Sequence, residues 1–237
     1  MARRLLFALL MLSPFFLQAT HNRAGEIIVE HGGDCGTAAG ANTVCITVIT
    51  YTERFSPADR DSLPVSWGDE TNIENVGRTN ITVIDGRIQR NEYRACHTYS
   101  GPGRYFISTT DPNRIGGILN VNFPRSIEVP FSIFTIHTLT NPSFFGCNSS
   151  PILDQPPLDR ACVGEVWTHS PGAFDPDGDS LVFEFAVPLV AEGIEVPGYR
   201  FPNEVEGSGS LTIDRTTGQI EWNSPNLAGE YNLAFLI

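Results

Sequence analysis

The feature that most constrains the fold is an acidic turn followed directly by an apolar strand. Residues 171–181 read PGAFDPDGDSL and place Asp175, Asp177 and Asp179 close together along the chain. The proline and the glycine between these aspartates favour a turn, because proline fixes φ and glycine permits a positive φ. Residues 182–187 then read VFEFAV, and this alternation predicts a strand with one buried face.

The chain ends on a second signature, a Gly-x-Tyr step that leads into a strand. Gly229 and Tyr231 precede apolar residues that alternate up to Ile237. Both signatures occur earlier in weaker form, the acidic turn at residues 59–63 and the Gly-x-Tyr step at residues 101–105. A pair of signatures that occurs twice in the same order suggests two tandem modules of one type. Since Ile237 stops inside an alternating strand, we expect a longer protein to continue beyond it.

The rest of the sequence favours β-structure throughout. No window of a dozen residues has convincing helical spacing, whereas runs rich in β-branched and aromatic residues alternate with turn clusters. The predicted fold class is all-β, with two tandem immunoglobulin-like β-sandwiches after a cleaved signal peptide. The predicted divisions are a signal peptide at 1–19, a first sandwich at 20–145, a proline-rich linker at 146–162 and a second sandwich at 163–237.

The first nineteen residues have the pattern of a secretory signal peptide. Arg3 and Arg4 precede an apolar run that Ser13 and Pro14 interrupt, so the run is too short for a spanning helix, and Ala19 ends it as a small residue. Removal of this segment changes the formal net charge from -12 to -14, and the chain contains no lysine. A chain with this negative charge is not expected to bind nucleic acid or to attach to a membrane through basic residues. We also predict no membrane insertion after cleavage.

Five cysteines in an exported chain predict disulfides with one thiol left over. Cys147 and Cys162 bracket the proline-rich link and are paired first, because closing that loop would restrict the unfolded chain. Cys35 and Cys45 flank small residues and could clip a hairpin, which would leave Cys96 unpaired. A bond between Cys45 and Cys96 is the main alternative, and geometry decides between the two.

The acidic turn is also the best candidate for a metal site. Hard cations such as calcium favour several carboxylate oxygens from one short loop, and Asp175, Asp177 and Asp179 could supply them. The spacing excludes an EF-hand, because Ser180 would replace its central glycine and Ala186 its closing glutamate. The alternative is a solvated turn whose aspartates accept hydrogen bonds from local backbone N–H groups. A weaker candidate set, with an arginine among its members, consists of Asp59, Asp61 and Asp69.

No motif in the sequence indicates catalysis. The five histidines form no zinc-binding spacing, and the sequence has no nucleophile elbow, phosphate loop or dinucleotide fingerprint. Cys96 lies beside His97, but we interpret the pair as the start of a structural strand rather than an activated thiolate. The sequence therefore predicts a protein that is not an enzyme.

The tryptophans admit two interpretations. A row of exposed indoles could stack on sugars, yet tryptophan on sandwich strands is more often part of the core. Trp222 alternates with Ile220, which favours the core. The other two are Trp67 and Trp167.

Several of these motifs carry a resemblance to known modules. Trp-Gly-Asp at 67–69, followed by His-Thr-Tyr at 97–99 and Gly-Arg-Tyr at 103–105, resembles the PKD (polycystic-kidney-disease) type of immunoglobulin-like module, with a shortened Trp-x-x-Gly-Asp step. Residues 175–181 with 211–222 and 228–231 are similar to cadherin-like modules of bacterial surface proteins. Together the pair resembles the N-terminal part of large secreted proteins of gliding Bacteroidota.

This resemblance implies a secreted or cell-surface protein. The leading expectation is a non-catalytic extracellular structural or adhesion module of a larger protein, stabilised by calcium. The competing expectation is a carbohydrate-binding accessory module of a secreted enzyme, and the third is a hydrolase that uses a carboxylate pair. The implied partners are other domains of the same protein, with surface glycans or proteins as further candidates.

Overall fold

A computed structural model describes residues 22–34, 37, 40–141, 144, 146–207 and 209–237. The predicted signal peptide at 1–19 lies outside these residues, as does Cys35. The fold is all-β, as predicted, and its sheets are built from antiparallel strands. Within the described part of the chain, no helix is long and apolar enough to cross a membrane.

Fourteen strands make up the sheets of the described residues. They are β1 (Asn22–His31), β2 (Thr43–Glu53), β3 (Ser62–Ser66), β4 (Glu74–Val83), β5 (Ile88–Thr98), β6 (Gly103–Asp111), β7 (Phe131–Leu139), β8 (Trp167–His169), β9 (Glu184–Ala186), β10 (Leu189–Ala191), β11 (Ile194–Glu195), β12 (Ser210–Ile213), β13 (Ile220–Asn223) and β14 (Ala234–Leu236). A 3-10 turn at Ser126–Glu128 and a short helix, α1 (Pro202–Glu206), lie between them.

The largest sheet has nine strands in the order β1-β2-β5-β4-β3-β6-β7-β10-β11. Strand β4 belongs to two pairings, because residues 74–77 pair with β3 and residues 78–83 pair with β5. In this order β1 is the first strand and β7 the seventh, yet the two approach each other in space. A Cβ at Gly25 of β1 would lie 3.1 Å from Cδ1 of Ile133 in β7. The sheet therefore folds over on itself around one core.

Side chains from all of β1 to β7 meet in this core. Period-two alternation explains the pattern, because Val44, Ile46 and Val48 of β2 point inward together. The core residues are Ile27, Val29, Val44, Ile46, Val48, Leu63, Val65, Trp67, Val76, Tyr93, Tyr99, Ile107 and Leu139.

Within residues 163–237, β10 and β11 belong to the nine-stranded sheet, and the other strands form two smaller sheets. One has the order β12-β13-β8, and the other consists of β14 and β9. Phe183, from the predicted strand after the acidic turn, is 1% exposed and packs against Gly218. A Cβ at Gly218 would lie 2.6 Å from the Phe183 ring, so this turn passes directly over the aromatic side chain.

Contacts cross the predicted boundary between the two halves. Strand β10, from the second half, pairs with β7 through Leu189 and Ser132. A second apolar cluster joins Ile118, Val121 and Val129 of the first half to Val196 of the second. The division into two sandwiches stays a prediction, but the described halves are hydrogen-bonded and packed against each other.

Both Gly-x-Tyr signatures adopt the same local geometry. The Tyr105 hydroxyl donates to the backbone carbonyl of Gly101 at 2.6 Å, and the Tyr231 hydroxyl donates to that of Leu227 at 2.9 Å. Each tyrosine thus reaches back four residues to fix the turn that precedes its strand. This shared contact resembles the tyrosine corner of immunoglobulin-like folds.

The cysteine pairing differs from the prediction. Cys45 and Cys96 face each other on β2 and β5 with their Cα atoms 3.9 Å apart, and they form a disulfide. The predicted Cys35–Cys45 bond is therefore wrong, and the alternative that the sequence left open is the one observed. The predicted Cys147–Cys162 bond is also wrong, because Cys162 is an exposed free thiol while Cys147 is disulfide-bonded. Strand register, rather than proximity along the chain, brings the cysteines together.

Candidate functional site

The acidic turn is closed by hydrogen bonds from its own backbone. One carboxylate oxygen of Asp175 accepts the N–H of Asp177 at 2.8 Å and the N–H of Asp179 at 3.2 Å. Gly178 has a φ of 86° and donates its N–H to the Asp175 carbonyl at 3.2 Å. Asp175 therefore acts as the backbone acceptor that the sequence offered as the alternative to a metal ligand.

Asp177 reaches out of the turn to the connector, by which we mean residues 146–162. Its carboxylate accepts the backbone N–H of Ser149 at 2.6 Å. Among the described residues, no three His, Cys, Asp or Glu side chains form a group that could hold a metal ion. Calcium binding by Asp175, Asp177 and Asp179 stays a prediction, while the contact of Asp177 with the connector is a direct hydrogen bond.

Arginine engages two aspartates of the weaker candidate set. The Arg78 guanidinium donates to both carboxylate oxygens of Asp59, at 2.6 and 2.8 Å, and to Asp61 at 3.1 Å. Such a bidentate pair is the strong form of a surface ion pair. Arg78 therefore already pairs with two of the three carboxylates of this set.

Asp69 belongs to a different cluster, which contains the residues that carry the PKD resemblance. Its carboxylate lies 2.6 Å from Nε2 of His97, whose ring stacks on Trp67 with centroids 4.8 Å apart. The Tyr99 hydroxyl donates to the Trp67 carbonyl at 2.9 Å. Burial opposes ionisation of Asp69, but hydrogen bonds from Thr71 and His97 outweigh it and lower its pKa. These contacts connect the segment that follows β3 to the end of β5, and this is a structural role.

The structure also places Cys96 and the three tryptophans. Cys96 is disulfide-bonded, so the pair with His97 is not an activated thiolate, as interpreted. Trp222 is 5% exposed and Trp67 is 2% exposed, which confirms the core interpretation for Trp222. Trp167 is half-buried and its ring stacks on His169 with centroids 5.9 Å apart. Neither Trp67 nor Trp222 is placed to stack on a sugar from solvent.

Residues 149–155 of the connector form a strap that links the edge of β1 to the acidic turn. Ser150 donates its N–H to the Val29 carbonyl, and its hydroxyl accepts the Val29 N–H, both at 2.8 Å. Further along the strap, Ile152 and Phe174 exchange two backbone hydrogen bonds at 2.9 and 3.1 Å. The strap is therefore held on one side by the first sheet and on the other by the second half of the chain.

A groove of about 510 Å³ lies between β1, the strap and the acidic turn. One of its lining residues, His31, lies near enough to the buried His137 to affect its charge. Burial and the nearby His31 lower the pKa of His137 to about 4. The groove is lined by Ile28, Val29, Glu30, His31, Cys147, Ser149, Ser150, Ile152, Pro176 and Asp177.

Glu26 lies on β1 and points to the face opposite the core residue Ile27. The backbone N–H of Leu153, a strap residue, favours the ionised form of the Glu26 carboxylate. Burial raises the pKa of Glu26 to about 7, although the charge of Arg90 and the Leu153 hydrogen bond oppose that shift. Burial also raises the pKa of Tyr51, and the charge of Glu26 adds to the effect.

A buried arginine joins the two halves at a separate place, which we call the junction. Arg114 is 1% exposed, and its guanidinium donates to the carbonyls of Pro130 at 2.8 Å and Leu189 at 3.0 Å. It also donates to the side-chain oxygen of Asn232 at 2.6 Å. Burial lowers the pKa of Arg114 to about 10. A buried cation is thus held by neutral oxygens from both halves.

Asn232 forms hydrogen bonds with several other residues of the junction. Its backbone N–H donates to the side-chain oxygen of Asn120 at 2.8 Å, and its carbonyl accepts the Asn120 amide at 2.7 Å and the Tyr199 hydroxyl at 3.0 Å. The Asn120 amide also donates to the Arg200 carbonyl at 3.0 Å. Sequence reasoning missed these residues, because each looks like an ordinary polar loop residue until the chain is folded. Asn232 itself gave no signal, because it lies two residues before β14 and a polar residue is expected at its place in the alternation.

Comparisons of this chain with protein-family models, with curated proteins and with solved structures found no match. The resemblance to PKD-like and cadherin-like modules therefore stays a prediction that rests on the quoted motifs.

Proposed function

We propose that this chain is a non-catalytic extracellular module that spaces or presents other parts of a larger surface or secreted protein. The observation that carries the proposal is the junction, where Arg114 binds carbonyls of both halves. A module that holds other domains at a fixed distance needs its own parts to keep one relative orientation. The junction supplies that fixed orientation.

The buried charge of Arg114 favours one relative orientation of the two halves, in addition to stabilising their contact. If the halves separated, Pro130 and Leu189 would lose the donor that satisfies their carbonyls, and Arg114 would have to find water instead. Removing one partner from a buried polar contact costs more than the contact itself contributes. Small misalignments between the halves are therefore unfavourable, and this favours a spacer role.

The strap and the disulfide support the same proposal. The strap is hydrogen-bonded to Val29 on one side and to Phe174 on the other, so the connector is not a free linker. The Cys45–Cys96 bond is compatible with an oxidising, extracellular location. The expected partners are the neighbouring domains of the same larger protein, and calcium binding at the acidic turn is part of the proposal.

Single-molecule pulling tests the spacer role. The wild-type chain should unfold across both halves in one cooperative event, because the junction must break before either half is released. Arg114→Met keeps the apolar stem but removes the donors, so we expect two separate events at lower force. Arg125→Met is the matched control, since Arg125 lies in the same segment but is exposed and pairs only with Glu128 in the described contacts.

Two outcomes would contradict the proposal. One is a wild-type trace in which the halves already unfold independently, which would deny the junction any mechanical role. The other is saturable binding of the wild-type chain on a glycan array, which would favour the carbohydrate-binding alternative.

A further inference from the structure

The second part of β4 leaves one hydrogen-bonding side open. Residues 80–83 pair with β5 on one side, whereas the pairing with β3 on the other side ends at Gly77. A shift of register between Arg78 and Asn80 marks this change. The N–H of Arg78 makes the last contact toward β3, to the carbonyl of Asp61 at 2.7 Å. We call the side of residues 80–83 that faces away from β5 the free edge.

The backbone groups of Ile81 and Val83 point to the free edge. Ile84 donates its N–H to the carbonyl of Ile88 at 3.0 Å, so these two residues form a hydrogen-bonded pair. Antiparallel ladders alternate hydrogen-bonded and non-hydrogen-bonded pairs. In the observed register, Thr82 is therefore hydrogen-bonded to β5, while Ile81 and Val83 are not. No described residue bonds to the N–H or C=O groups of Ile81 and Val83 from the open side.

The side chains along the free edge suit pairing with a further strand. Ile81 is 47% exposed and Val83 is 49% exposed, and alternation places both on one face. Residues 79–84 read TNITVI, which contains no charge and no proline, and five of the six residues are β-branched. Edge strands of natural proteins commonly carry a charge or a proline that prevents pairing with another chain. The free edge has neither of these two protections.

The charge distribution allows a second copy of the chain to approach at this place. The chain has a formal net charge of -12, so two copies repel each other overall. The free edge is uncharged, and the arginines beside it are paired within the chain, Arg78 with Asp59 and Arg90 with Glu92. Two free edges can therefore meet without bringing unpaired charges of one sign together.

We propose that two copies of this chain pair through their free edges, antiparallel and about a two-fold axis at Thr82. In this register Ile81 of one copy lies opposite Val83 of the other, and the outward-facing backbone groups of both residues become hydrogen-bonded. The symmetry repeats this apolar pair twice and places Thr82 opposite itself. The strands β1, β2, β5 and β4 of the two copies then form one continuous layer.

So short an edge predicts a weak dimer. One pair of strands forms an interface smaller than that of stable complexes, so we expect monomer and dimer to exchange rapidly. Sedimentation velocity of the full chain between about 10 µM and about 1 mM should therefore give a sedimentation coefficient that rises with concentration. A chain that stays monomeric throughout this range would overturn the proposal and leave the free edge to a strand of another protein.

A matched pair of lysine variants locates the interface. Ile81→Lys places a charge opposite Val83 at both symmetric positions and should weaken association about tenfold or more. Ile194→Lys is the control, because Ile194 is 57% exposed and lies on β11, a strand at the end of the same nine-stranded sheet. If both variants weakened the dimer equally, or if neither weakened it, the free edge would not be the interface.

Cysteine cross-linking tests the register. Thr82→Cys, combined with Cys162→Ser to remove the exposed thiol, should form a disulfide-linked dimer under mild oxidation. The reason is that a non-hydrogen-bonded pair brings its Cα atoms to about 4.5 Å, within the range of a disulfide. Val83→Cys in the same background should cross-link far less, since each Val83 lies opposite Ile81 instead of itself. Equal cross-linking of the two variants would contradict a two-fold axis at Thr82.

Discussion

Asp177 accepts the backbone N–H of Ser149 at 2.6 Å, and this hydrogen bond joins the acidic turn of the second half to the connector. The contact explains why an aspartate is useful at this position without any metal. It also separates the roles of the acidic residues, because Asp175 closes the turn while Asp177 docks it.

The docking role predicts different effects for two substitutions of Asp177. Asp177→Ala removes the acceptor for the Ser149 N–H and should lower the free energy of unfolding by about 1 kcal/mol. Asp177→Asn keeps an oxygen acceptor and should lose less. Urea denaturation of the wild type and both variants measures these differences. Equal stabilities of the wild type and Asp177→Ala would show that the contact contributes nothing.

Calcium makes a separate prediction for the same turn. Calcium that binds only the folded protein raises the unfolding free energy by about 2.7 kcal/mol at a hundredfold excess over Kd. Melting curves in millimolar calcium and in chelator should therefore separate, and Asp177→Asn should bring them together. If the two curves coincide for the unmutated protein, the acidic turn is a hydrogen-bonded turn and no more.

Gly218 should tolerate no side chain. It has a φ of 72°, and a Cβ there would lie 2.6 Å from the buried ring of Phe183. Gly218→Ala should thus destabilise the protein by about 2–4 kcal/mol through strain and displacement of the ring. Gly178→Ala is the control, since Gly178 has a φ of 86° but a Cβ there would meet no other atom within 4 Å. A loss in the control as large as in Gly218→Ala would mean that backbone strain, not the contact, dominates.

His137 predicts an acid-sensitive stability. Burial lowers its pKa from 6.5 to about 4, so the folded state binds the proton less tightly than the unfolded chain does. The resulting stability is present above the ordinary pKa and is lost as the pH falls from 6.5 to about 4. The loss is about 3 kcal/mol over that window. His137→Gln should flatten this part of the profile in denaturation experiments at several pH values, and an unchanged slope would contradict the prediction.

The cysteines predict a clear chemical result. Peptide mapping without reduction should link Cys45 to Cys96, and a native-state alkylating reagent should modify Cys162. Replacing Cys45 and Cys96 together by alanine should cost about 2–4 kcal/mol of stability. Cys162→Ser should leave stability unchanged, because the thiol is exposed. A native Cys162 that resists alkylation would argue against this assignment.

Local sequence patterns predicted the local structure well. The acidic turn forms where its proline and glycine place it, both Gly-x-Tyr steps fix turns, and Trp222 is in the core because it alternates with buried Ile220. These features depend on neighbours along the chain and on period-two alternation. The sequence therefore carries the information that determines them.

The features that the sequence did not predict depend on long-range register. Cys45 meets Cys96 only because β2 pairs with β5, and no pattern near either cysteine specifies that register. Arg114 and Asn232 are 118 positions apart, and neither has a motif that marks it as buried. The sequence offered the acidic turn as a calcium site or as a turn closed by its own backbone, and the hydrogen bond from Ser149 of the connector to Asp177 was not among these alternatives. Spacing alone does not show which way a carboxylate points.

The double pairing of β4 has a mechanical consequence. This ten-residue strand is hydrogen-bonded to β3 along its first part and to β5 along its second, so one continuous piece of backbone runs from one layer of the fold into the other. The two layers therefore cannot separate as two sheets can that are held together only by side-chain packing. A load that pulls them apart must either shear hydrogen bonds on both flanks of β4 or stretch covalent chain.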